Sequence, residues 1–220
     1  MVKKGDIRII MRIIEPSVEI MDKLDGKEMI RKIELAGRVC YKSEGRITEG
    51  SAEKFIKALI KRGHESVLEH EKITVRFICD RGVTHEMVRH RIASYSQESS
   101  RYCNYSPDGN QAGVTFIKPC FWTEDQPEYK RWLEAMESCE KAYNDLIAMG
   151  AKPEQARDVL PNSLKTEIVM TANLREWRHF LKLRTAPAAH PQIREVAGML
   201  LAMLHKEVPV VFDDIEEEKE

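Results

Sequence analysis

The chain has 220 residues, of which 42% are hydrophobic and 32% charged, and its formal net charge is −1. This length supports one substantial core, so one domain is expected rather than two small ones. The near-neutral charge argues against a general nucleic-acid binder, because such a protein needs a basic excess to displace counterions from phosphates.

The charge is unevenly distributed along the chain. Residues 213–220 contain six acids and one lysine, and this acidic tail is expected to be solvated and flexible. The five cysteines form no CxxC pair, which indicates a reducing compartment without a disulfide framework. Neither a signal peptide nor a membrane-spanning apolar run is recognised, so a cytoplasmic location is expected.

The first half of the chain alternates between strand and helix patterns. Asp25 followed by Glu28 predicts the start of a helix. Ser51 is expected to cap a second helix that Gly63 ends. In chain order, the patterns predict a strand at 7–14, helices at 26–39 and 51–62, a half-buried strand at 73–79 and a helix at 83–93.

The second half is predicted to be mainly helical. A long apolar stripe that ends at Gly150 indicates one long helix, and Pro153 fits the first turn of a short one. Residues 94–125 look irregular apart from a strand at 114–118. The remaining predictions are helices at 127–149 and 153–160, a strand at 164–172, and helices at 174–184 and 191–206.

The most distinctive segment runs from Arg89 to Arg101 and reads RHRIASYSQESSR. Its low aliphatic content excludes a core element. Arginine presents a planar fork of donors that matches phosphate or carboxylate oxygens in pairs, so the segment predicts an anionic ligand. Four more arginines support this interpretation: Arg157, Arg175, Arg178 and Arg184. The alternative is that the arginines are solvated or paired with Glu86, Glu98 and Glu176.

The spacing of these arginines predicts more than one ligand direction. Arg89 and Arg91 would diverge by roughly 200° on the predicted helix. Arg175 and Arg178 are three residues apart and share a helix face, whereas Arg184 lies about 180° from Arg175. The pattern therefore indicates two ligands, or one ligand and another subunit.

Other familiar binding motifs are absent from the sequence. There is neither a GxGxxG nor a GxxxxGK[ST] motif, so any nucleotide is expected to be held by side chains. His64 and His70 are six residues apart, which does not suit a zinc helix, and no metal is expected. No serine elbow occurs and no cysteine lies beside an evident base. An enzyme with this sequence would need a cofactor to carry its chemistry.

The arginine-rich segment resembles the signature of the flavin-dependent thymidylate synthases, in which RHR is followed after seven residues by Ser. The extended pattern is matched at Ser94, Ser99 and Arg101 and departs at Ser96, where Asn is usual. Further resemblances lie at 62–70, 157–161 and 173–184, and the order of the motifs agrees over about residues 11–210.

The resemblance implies a reaction and an assembly. The family makes dTMP from dUMP, with methylenetetrahydrofolate as carbon donor and NADPH as reductant, through bound FAD. It implies a homotetramer with active sites built across subunits, and no nucleic-acid or membrane partner. With the predicted elements, it suggests an α/β fold of the α+β type: a mixed, mainly antiparallel sheet flanked by helices, in a single domain over 1–220.

The resemblance also implies site residues. Arg184 matches the position credited with stabilising uracil as its C5 becomes nucleophilic, an electrostatic role. Glu86 is expected to bond the uracil N3–H or to pair with Arg89. The expected FAD contacts are His64, Ser66, Glu69, Arg89, His90, Arg91, Gln97, Asn173, Leu174, Arg175 and His179. The expected dUMP contacts are Glu86, Arg89, Gln97, Glu98, Ser99, Ser100, Arg101, Arg157 and Arg184.

Two other functions remain to be weighed against this enzyme. One is a nucleotide-binding regulatory protein on the same scaffold, without turnover; the other is an RNA-binding module that uses the basic segment. Cys120 follows a proline, as does the nucleophile of the cysteine-dependent thymidylate synthases. It is followed by Phe121 where those enzymes have His, so we interpret Cys120 as structural.

Overall fold

The computed structural model describes residues 11–109 and 113–216. The chain separates into two compact units. Of the described residues, the first unit contains 11–16, Ile78–Thr84, 97–109 and 113–167, and the second contains Ser17–Phe77, His85–Ser96 and 168–216. Each unit is assembled from three chain segments, so neither is a continuous half of the sequence. The single domain over 1–220 stays a prediction.

The strands form two sheets, and helices accompany an antiparallel sheet, as the fold prediction expected. In the first unit β1 pairs in parallel with β5, and the other four strands are ordered β2-β3-β6-β4. Residues 7–10 of the first predicted strand lie outside the described residues. The strands are β1 Arg12–Ile14, β2 Ser17–Ile20, β3 Lys72–Asp80, β4 Ala93–Gln97, β5 Thr115–Ile117 and β6 Lys165–Asn173.

Most of the predicted helices are confirmed. The helices are α1 Gly26–Cys40, α2 Ser51–Lys61, α3 Arg81–Met87, α4 Pro127–Ala148, α5 Pro153–Ala156, α6 Leu174–Arg184, α7 Pro191–Glu207 and α8 Pro209–Phe212. Short 3-10 turns occupy Glu44–Arg46, Glu65–His70 and Arg157–Val159. Within the part of the chain that the structure describes, no helix combines the length and apolar content needed to cross a bilayer.

Of the two predicted helix caps, the one at Asp25 is confirmed and the one at Ser51 is wrong. The Asp25 side chain caps α1, because it accepts from the Glu28 N–H at 3.0 Å. The prediction that Ser51 caps α2 is wrong: the N-cap is Gly50, in a left-handed conformation with φ 75°. The Ser51 hydroxyl lies instead 2.8–2.9 Å from the carboxylate of Glu34, a partner distant in sequence.

The predicted helix over 83–93 is also wrong, because α3 ends at Met87 and β4 begins at Ala93. The Tyr95 hydroxyl lies 2.7 Å from the carbonyls of both Met87 and His90. These bonds hold the chain in a turn after Met87. Along β4, Ser94 and Ser96 are exposed between half-buried neighbours, the period-two pattern of a strand. The helix predicted at 153–160 is shorter than expected, because α5 ends at Ala156 and a 3-10 turn follows.

The core of the first unit forms around α4 and β5. Its buried members are Tyr105, Val114, Phe116, Met136, Tyr143, Ala156 and Leu164. The Tyr143 hydroxyl accepts from the Tyr105 N–H at 3.1 Å. This bond fixes the end of the loop that carries residues 98–104, so the apolar stripe of α4 supports a candidate ligand-binding segment.

In the second unit, α6 packs against β3. The predicted alternation is confirmed, since Ile73, Val75 and Phe77 are fully buried. The indole N–H of Trp177 donates to the Ile73 carbonyl at 3.0 Å, and the Trp177 and Phe180 rings pack edge to face. Burying each such aromatic side chain stabilises the fold by about 1.5–3 kcal/mol. This packing fixes α6, whose last residue is Arg184.

A buried arginine of α6 fastens the C-terminal segment to the second unit. Arg178 is 1% exposed. Its guanidinium donates to Glu65 at 3.1 and 3.3 Å and to Asp214 at 2.5 and 2.7 Å, and it also donates to the Val211 carbonyl. Because Arg178 is buried and fully bonded, it is not the ligand contact that its spacing from the exposed Arg175 suggested.

The Arg178–Asp214 bond predicts a stability difference that depends on pH. The hydrogen bond that the Asp214 carboxylate accepts from Arg178 lowers the pKa of Asp214 below its ordinary value of 3.8. Because the folded-state pKa is the lower one, the carboxylate stabilises the fold above about pH 3.8 and stops doing so as the pH falls through the depressed pKa. Asp214→Asn is therefore expected to lower the unfolding temperature at neutral pH, and this deficit should vanish in strong acid.

Thermal unfolding across this pH range checks the prediction. Asp213→Asn is the matched control, since Asp213 is its exposed neighbour, and it should unfold like the unaltered chain. An equal deficit in both variants, or a deficit for Asp214→Asn that persists in strong acid, would contradict the role of the Asp214 charge.

Candidate functional site

Arg184 lies at the centre of a hydrogen-bonded network in the second unit. The helix that carries it begins where the Asn173 side chain accepts from the Glu176 N–H at 2.9 Å. At its other end, the Arg184 guanidinium donates to the Glu86 carboxylate at 2.7 Å, to the Glu86 carbonyl at 3.1 Å and to His90 Nε2 at 3.1 Å. Arg184 is 9% exposed. The cation is therefore held by the protein rather than by water.

The partners of His90 fix its protonation. Its Nδ1 lies 3.1 Å from Glu176 Oε1, and its Nε2 faces the Nε–H of Arg184. Burial lowers the pKa of His90 below the ordinary 6.5, although the bond to Glu176 opposes this shift. A neutral ring that carries its proton on Nδ1 satisfies both contacts, since Nδ1–H donates to Glu176 and Nε2 accepts from Arg184.

This network orients Arg184 but does not use all of its guanidinium N–H groups. A guanidinium carries five N–H groups, and the three contacts to Glu86 and His90 use one each from Nε, Nη1 and Nη2. Two N–H groups therefore remain for a ligand. Arg184 also ends a helix, where the macrodipole favours a cation. The arrangement can stabilise a negative charge that develops on a bound molecule.

Several exposed side chains that can form hydrogen bonds belong to the same unit as this network. Arg175 pairs with Glu69 at 2.6 Å, and the ring centroids of His179 and His90 lie 5.4 Å apart. The exposed members of the predicted flavin set are His64, Ser66, Glu69, Arg89, Arg91, Arg175 and His179. Three arginines, two histidines and a hydroxyl suit a ligand that carries phosphates and a polar ring edge.

One group in this unit has the composition of a metal site. His90, Glu176 and His179 each offer a ligand atom, and these atoms lie within 4.8 Å of one another. Both ring nitrogens of His90 are engaged, however, one by Glu176 and the other by Arg184. The adjacent guanidinium would also repel a metal cation. The group therefore gives no support for a metal ion.

The segment after β4 belongs to the first unit and is held by several hydrogen bonds. The Gln97 amide donates to the hydroxyls of Thr84 at 3.0 Å and Thr166 at 3.3 Å. Arg157 donates to the buried Ser100 hydroxyl at 3.3 Å. Two predicted nucleotide-binding residues, Ser100 and Arg157, are therefore in contact, and a third, Gln97, is held by other partners in the same unit.

Ser99 organises the turn that follows. Its hydroxyl lies 3.3 Å from the Arg101 N–H, and its carbonyl accepts from the N–H groups of Tyr102 and Cys103 at 3.1 and 3.0 Å. The side chains of Arg101 and Tyr102 are exposed. The turn therefore presents an arginine and an aromatic ring to solvent from a backbone that is fixed underneath.

Glu98 is anchored inside the first unit. Its carboxylate accepts from Lys165 at 2.7 Å and from the Tyr105 hydroxyl at 2.8 Å, and its N–H donates to the Glu167 carbonyl at 2.8 Å. Burial and the bond to Glu98 raise the pKa of Tyr105, so this hydroxyl remains a donor. The Glu98 side chain therefore holds the loop in place, and its predicted contact with a nucleotide stays a prediction.

Comparison with known proteins decides the family. A family model described as "Thymidylate synthase complementing protein" matches residues 20–210. A flavin-dependent thymidylate synthase of Pyrococcus furiosus is 40% identical over 162 residues, which cover 73% of this chain and 66% of the relative. This chain belongs to the flavin-dependent thymidylate synthase family.

Further members of the family and a solved structure agree. The Mycobacterium avium relative is 36% identical over 220 residues, covering 91% of this chain and 84% of its own length. A crystal structure of the UMP/dUMP methylase PolB from Streptomyces cacaoi, bound with 5-Br dUMP, has a TM-score of 0.76 and 26% identity; the match covers 92% of this chain and 96% of that one. The chain spans about two thirds of the Pyrococcus furiosus relative, or 66%.

The predicted contacts are distributed over both units. Gln97 to Arg101 and Arg157 belong to the first unit, and the remaining predicted residues belong to the second. Glu86 pairs with Arg184 and not, as one alternative held, with Arg89. Leu174 is fully buried and its N–H donates to the Glu71 carbonyl; its contact with FAD stays a prediction.

The predicted divergence of Arg89 and Arg91 by a helical rotation is wrong, because both residues follow the end of α3. Both side chains are exposed in the turn before β4. As FAD or dUMP contacts, the two arginines stay predictions, but their directions are set by that turn and not by helix geometry.

The sequence did not predict the supporting role of three residues that hold the site residues in place. Glu176 was expected only as a partner for an arginine, yet it orients His90. Lys165 and Tyr105 hold Glu98 and were not singled out at all. The strand pattern around Lys165 gave the available signal, since a lysine in a half-buried strand needs a nearby carboxylate.

Proposed function

We propose that this chain makes dTMP from dUMP by reductive methylation. The carbon comes from methylenetetrahydrofolate, and the reducing equivalents come from NADPH through FAD. Membership of the family supports the reaction class. Within the chain, the observation that carries the proposal is Arg184, a cation fixed by Glu86 and neutral His90 with two N–H groups to spare.

The donor set of the second unit fits FAD. Exposed Arg89, Arg91 and Arg175 match the pyrophosphate oxygens, while His64 and His179 match polar edges of the rings. Asn173 caps α6 through its side-chain oxygen, so its amide N–H groups stay available to a ligand. When bound, the flavin supplies the hydride that completes the methyl group.

Arg184 would act on the pyrimidine. Uracil must become nucleophilic at C5, and a fixed guanidinium beside its ring oxygen or nitrogen stabilises the negative charge that develops there. Arginine stays protonated at any accessible pH, so the role is electrostatic and not that of a base. Within the first unit, Gln97, the turn at 99–101 and Arg157 are the expected nucleotide contacts.

The first-unit anchor gives a test of this nucleotide site. Lys165→Met leaves the Glu98 carboxylate without its cation in a site where both side chains are largely buried. The loop should loosen, and the KM for dUMP is expected to rise roughly tenfold, because breaking a partly buried ion pair strands a charge, while kcat changes little. Steady-state kinetics and dUMP titration provide the measurement.

Lys141→Met is the matched control for Lys165→Met. Lys141 belongs to the same unit and pairs with Asp145, but its side chain is 78% exposed. This variant should retain the KM for dUMP. A similar KM increase in both variants would remove the support for a specific anchor at Glu98.

The proposed chemistry needs no enzyme nucleophile. No disulfide joins the five cysteines, all of which are described. Burial raises the pKa of the Cys79 and Cys139 thiols, which disfavours the reactive thiolate at both. Cys120→Ala is expected to keep kcat within about twofold, as surface substitutions usually do. Loss of turnover in a folded Cys120→Ala protein would reopen the question of a covalent route.

We also propose a cytoplasmic homotetramer with sites shared between subunits. The exposed apolar residues Val88, Ile92 and Leu183 lie next in sequence to predicted site residues of the second unit. Apolar groups beside charged ligand contacts suit a surface that another copy of the chain covers. Light scattering and mixing of two inactive variants with lesions in different site residues would test this assembly.

Tritium release from [5-³H]dUMP, with methylenetetrahydrofolate, NADPH and FAD present, tests the proposed function directly. Release coupled to dTMP formation is expected. Purified protein that binds dUMP but cannot be loaded with FAD and releases no tritium would instead indicate a nucleotide-binding regulatory protein. Steeply salt-dependent RNA binding without tritium release would indicate the RNA-binding alternative.

A further inference from the structure

A basic cavity in the second unit has no role in the function proposed so far. It has a volume of about 530 Å³, and it lies among the end of α1, the 3-10 turn Glu44–Arg46 and α2. This volume is within the range of small-molecule sites. Its charged and aromatic lining residues are Arg38, Tyr41, Lys42, Arg46, Phe55 and Arg62.

The charge in this cavity is unbalanced. Arg38 is neutralised by Glu34, to which it donates at 2.8 and 3.1 Å, and it stacks on Phe55 at 4.3 Å. Lys42, Arg46 and Arg62 are exposed, and none has an ion-pair partner among the described residues. Among the described residues, no acidic one lines the cavity. Three unneutralised cations around one concave surface favour an anion with more than one charge.

The backbone at Lys42 is unusual. Its φ is 47°, in the left-handed region, and it is the one non-glycine residue with positive φ in the described part of the chain. The conformation is held by bonds from the Lys42 N–H to the Val39 carbonyl and from the Ser43 N–H to the Arg38 carbonyl, at 3.3 and 3.1 Å. These two bonds form a Schellman motif, a common end of a helix, so the left-handed conformation fixes where the Lys42 side chain leaves the backbone.

One lining residue of the cavity is hydrogen-bonded to the predicted flavin-binding element. The Leu59 side chain lines it, and the Leu59 carbonyl accepts from the N–H groups of Arg62 and His64 at 3.1 and 2.9 Å. A residue of the cavity wall is therefore bonded to the backbone of His64, the first predicted FAD contact. Tyr41, which is 62% exposed, and Phe55 add aromatic surface for a planar group.

We infer that this cavity binds the anionic end of a co-substrate that reacts at the flavin. The shared chemistry is a cluster of negative charges on a molecule with a planar ring. Two co-substrates of the proposed reaction carry it: the folate donor, through the carboxylates of its glutamyl tail, and NADPH, through its phosphates. The inference rests on the proposed function and adds a specificity site to it.

The test removes two cations and keeps the shape of the cavity. In Lys42→Gln/Arg46→Gln, the KM for the matching co-substrate is expected to rise roughly fivefold, the combined effect of two exposed ion pairs, while kcat is retained. The matched control, Lys57→Gln/Lys61→Gln, changes the charge equally at exposed positions of α2 outside the cavity, and it should leave every KM unchanged.

Paired co-substrates distinguish the two sources of charge. A KM increase for the pentaglutamyl but not the monoglutamyl folate would assign the cavity to the folate tail. An increase for NADPH but not NADH, which lacks the 2′-phosphate, would assign it to the dinucleotide. Unchanged KM values for all four compounds in an active, FAD-loaded variant would overturn the inference.

A binding measurement separates this inference from the proposed reaction. Penta-γ-glutamate and 2′-phosphoadenosine are titrated into the full chain by calorimetry at low salt, where charge pairing is least screened. Binding that only Lys42→Gln/Arg46→Gln weakens would support the cavity even if the unaltered chain released no tritium from [5-³H]dUMP. Equal heats for the variant and the unaltered chain, or no binding of either probe, would count against the cavity while leaving the proposed function untouched.

Discussion

Replacing Arg184 with alanine is expected to abolish methyl transfer while FAD stays bound. The substitution removes the cation that would face the uracil, and one lost donor to a developing charge typically lowers kcat about 100-fold or more. It also removes the partner of Glu86 and of His90 Nε2. Tritium release and dTMP formation measure the loss, and the absorbance of the bound flavin reports whether the second unit still holds its cofactor.

Two further variants make this result interpretable. Lys182→Ala changes a half-exposed cation in the same last turn of α6, and it should keep normal turnover. Arg184→Lys keeps the charge but not the planar fork that bonds Glu86 and His90 together, so it should be partly active. Near-normal turnover of a flavin-loaded Arg184→Ala protein would contradict the electrostatic role of Arg184.

The elements that could be predicted from the sequence are those with a dense local pattern. Four alternating apolar residues made β3 recognisable, and an Asp three residues before a Glu gave the start of α1. The failures come from long-range contacts. Ser51 was expected to cap α2, but its hydroxyl is engaged by Glu34, 17 residues away. The turn after Met87 is held by the Tyr95 hydroxyl, which no helix pattern encodes.

The candidate site shows the same division between short motifs and distant partners. The RHR motif gave His90, and the last helix motif gave Arg184. The carboxylate that orients His90 lies 86 residues further along the chain, and the lysine that anchors Glu98 lies 67 residues away. A motif identifies residues that contact a ligand by their similarity to a family. It does not identify the partners that orient them, because those are set by how the strands and helices pack.

This dependence on a distant partner makes Glu176→Gln the second variant with a large expected effect. A glutamine can donate its amide N–H to Nδ1 of His90, which would move the ring proton to Nε2. That proton would then oppose the Nε–H of Arg184 and disturb the guanidinium. The kcat is expected to fall roughly 10- to 100-fold, as it does when a partner that orients a functional histidine is lost. Glu207→Gln, at an exposed site of α7, is the charge-matched control.

The pH profile separates this orienting role from a loss of folding. If the unaltered chain has the proposed activity, its turnover should fall on the acid side as His90 gains a proton, since imidazolium cannot accept from Arg184. Burial lowers the pKa of His90 below 6.5, and the Glu176 carboxylate partly raises it again. Removing that charge should lower the pKa further, so the acid limb of kcat in Glu176→Gln should move to lower pH. An acid limb that stays in place, or moves to higher pH, would show that Glu176 does not act through His90.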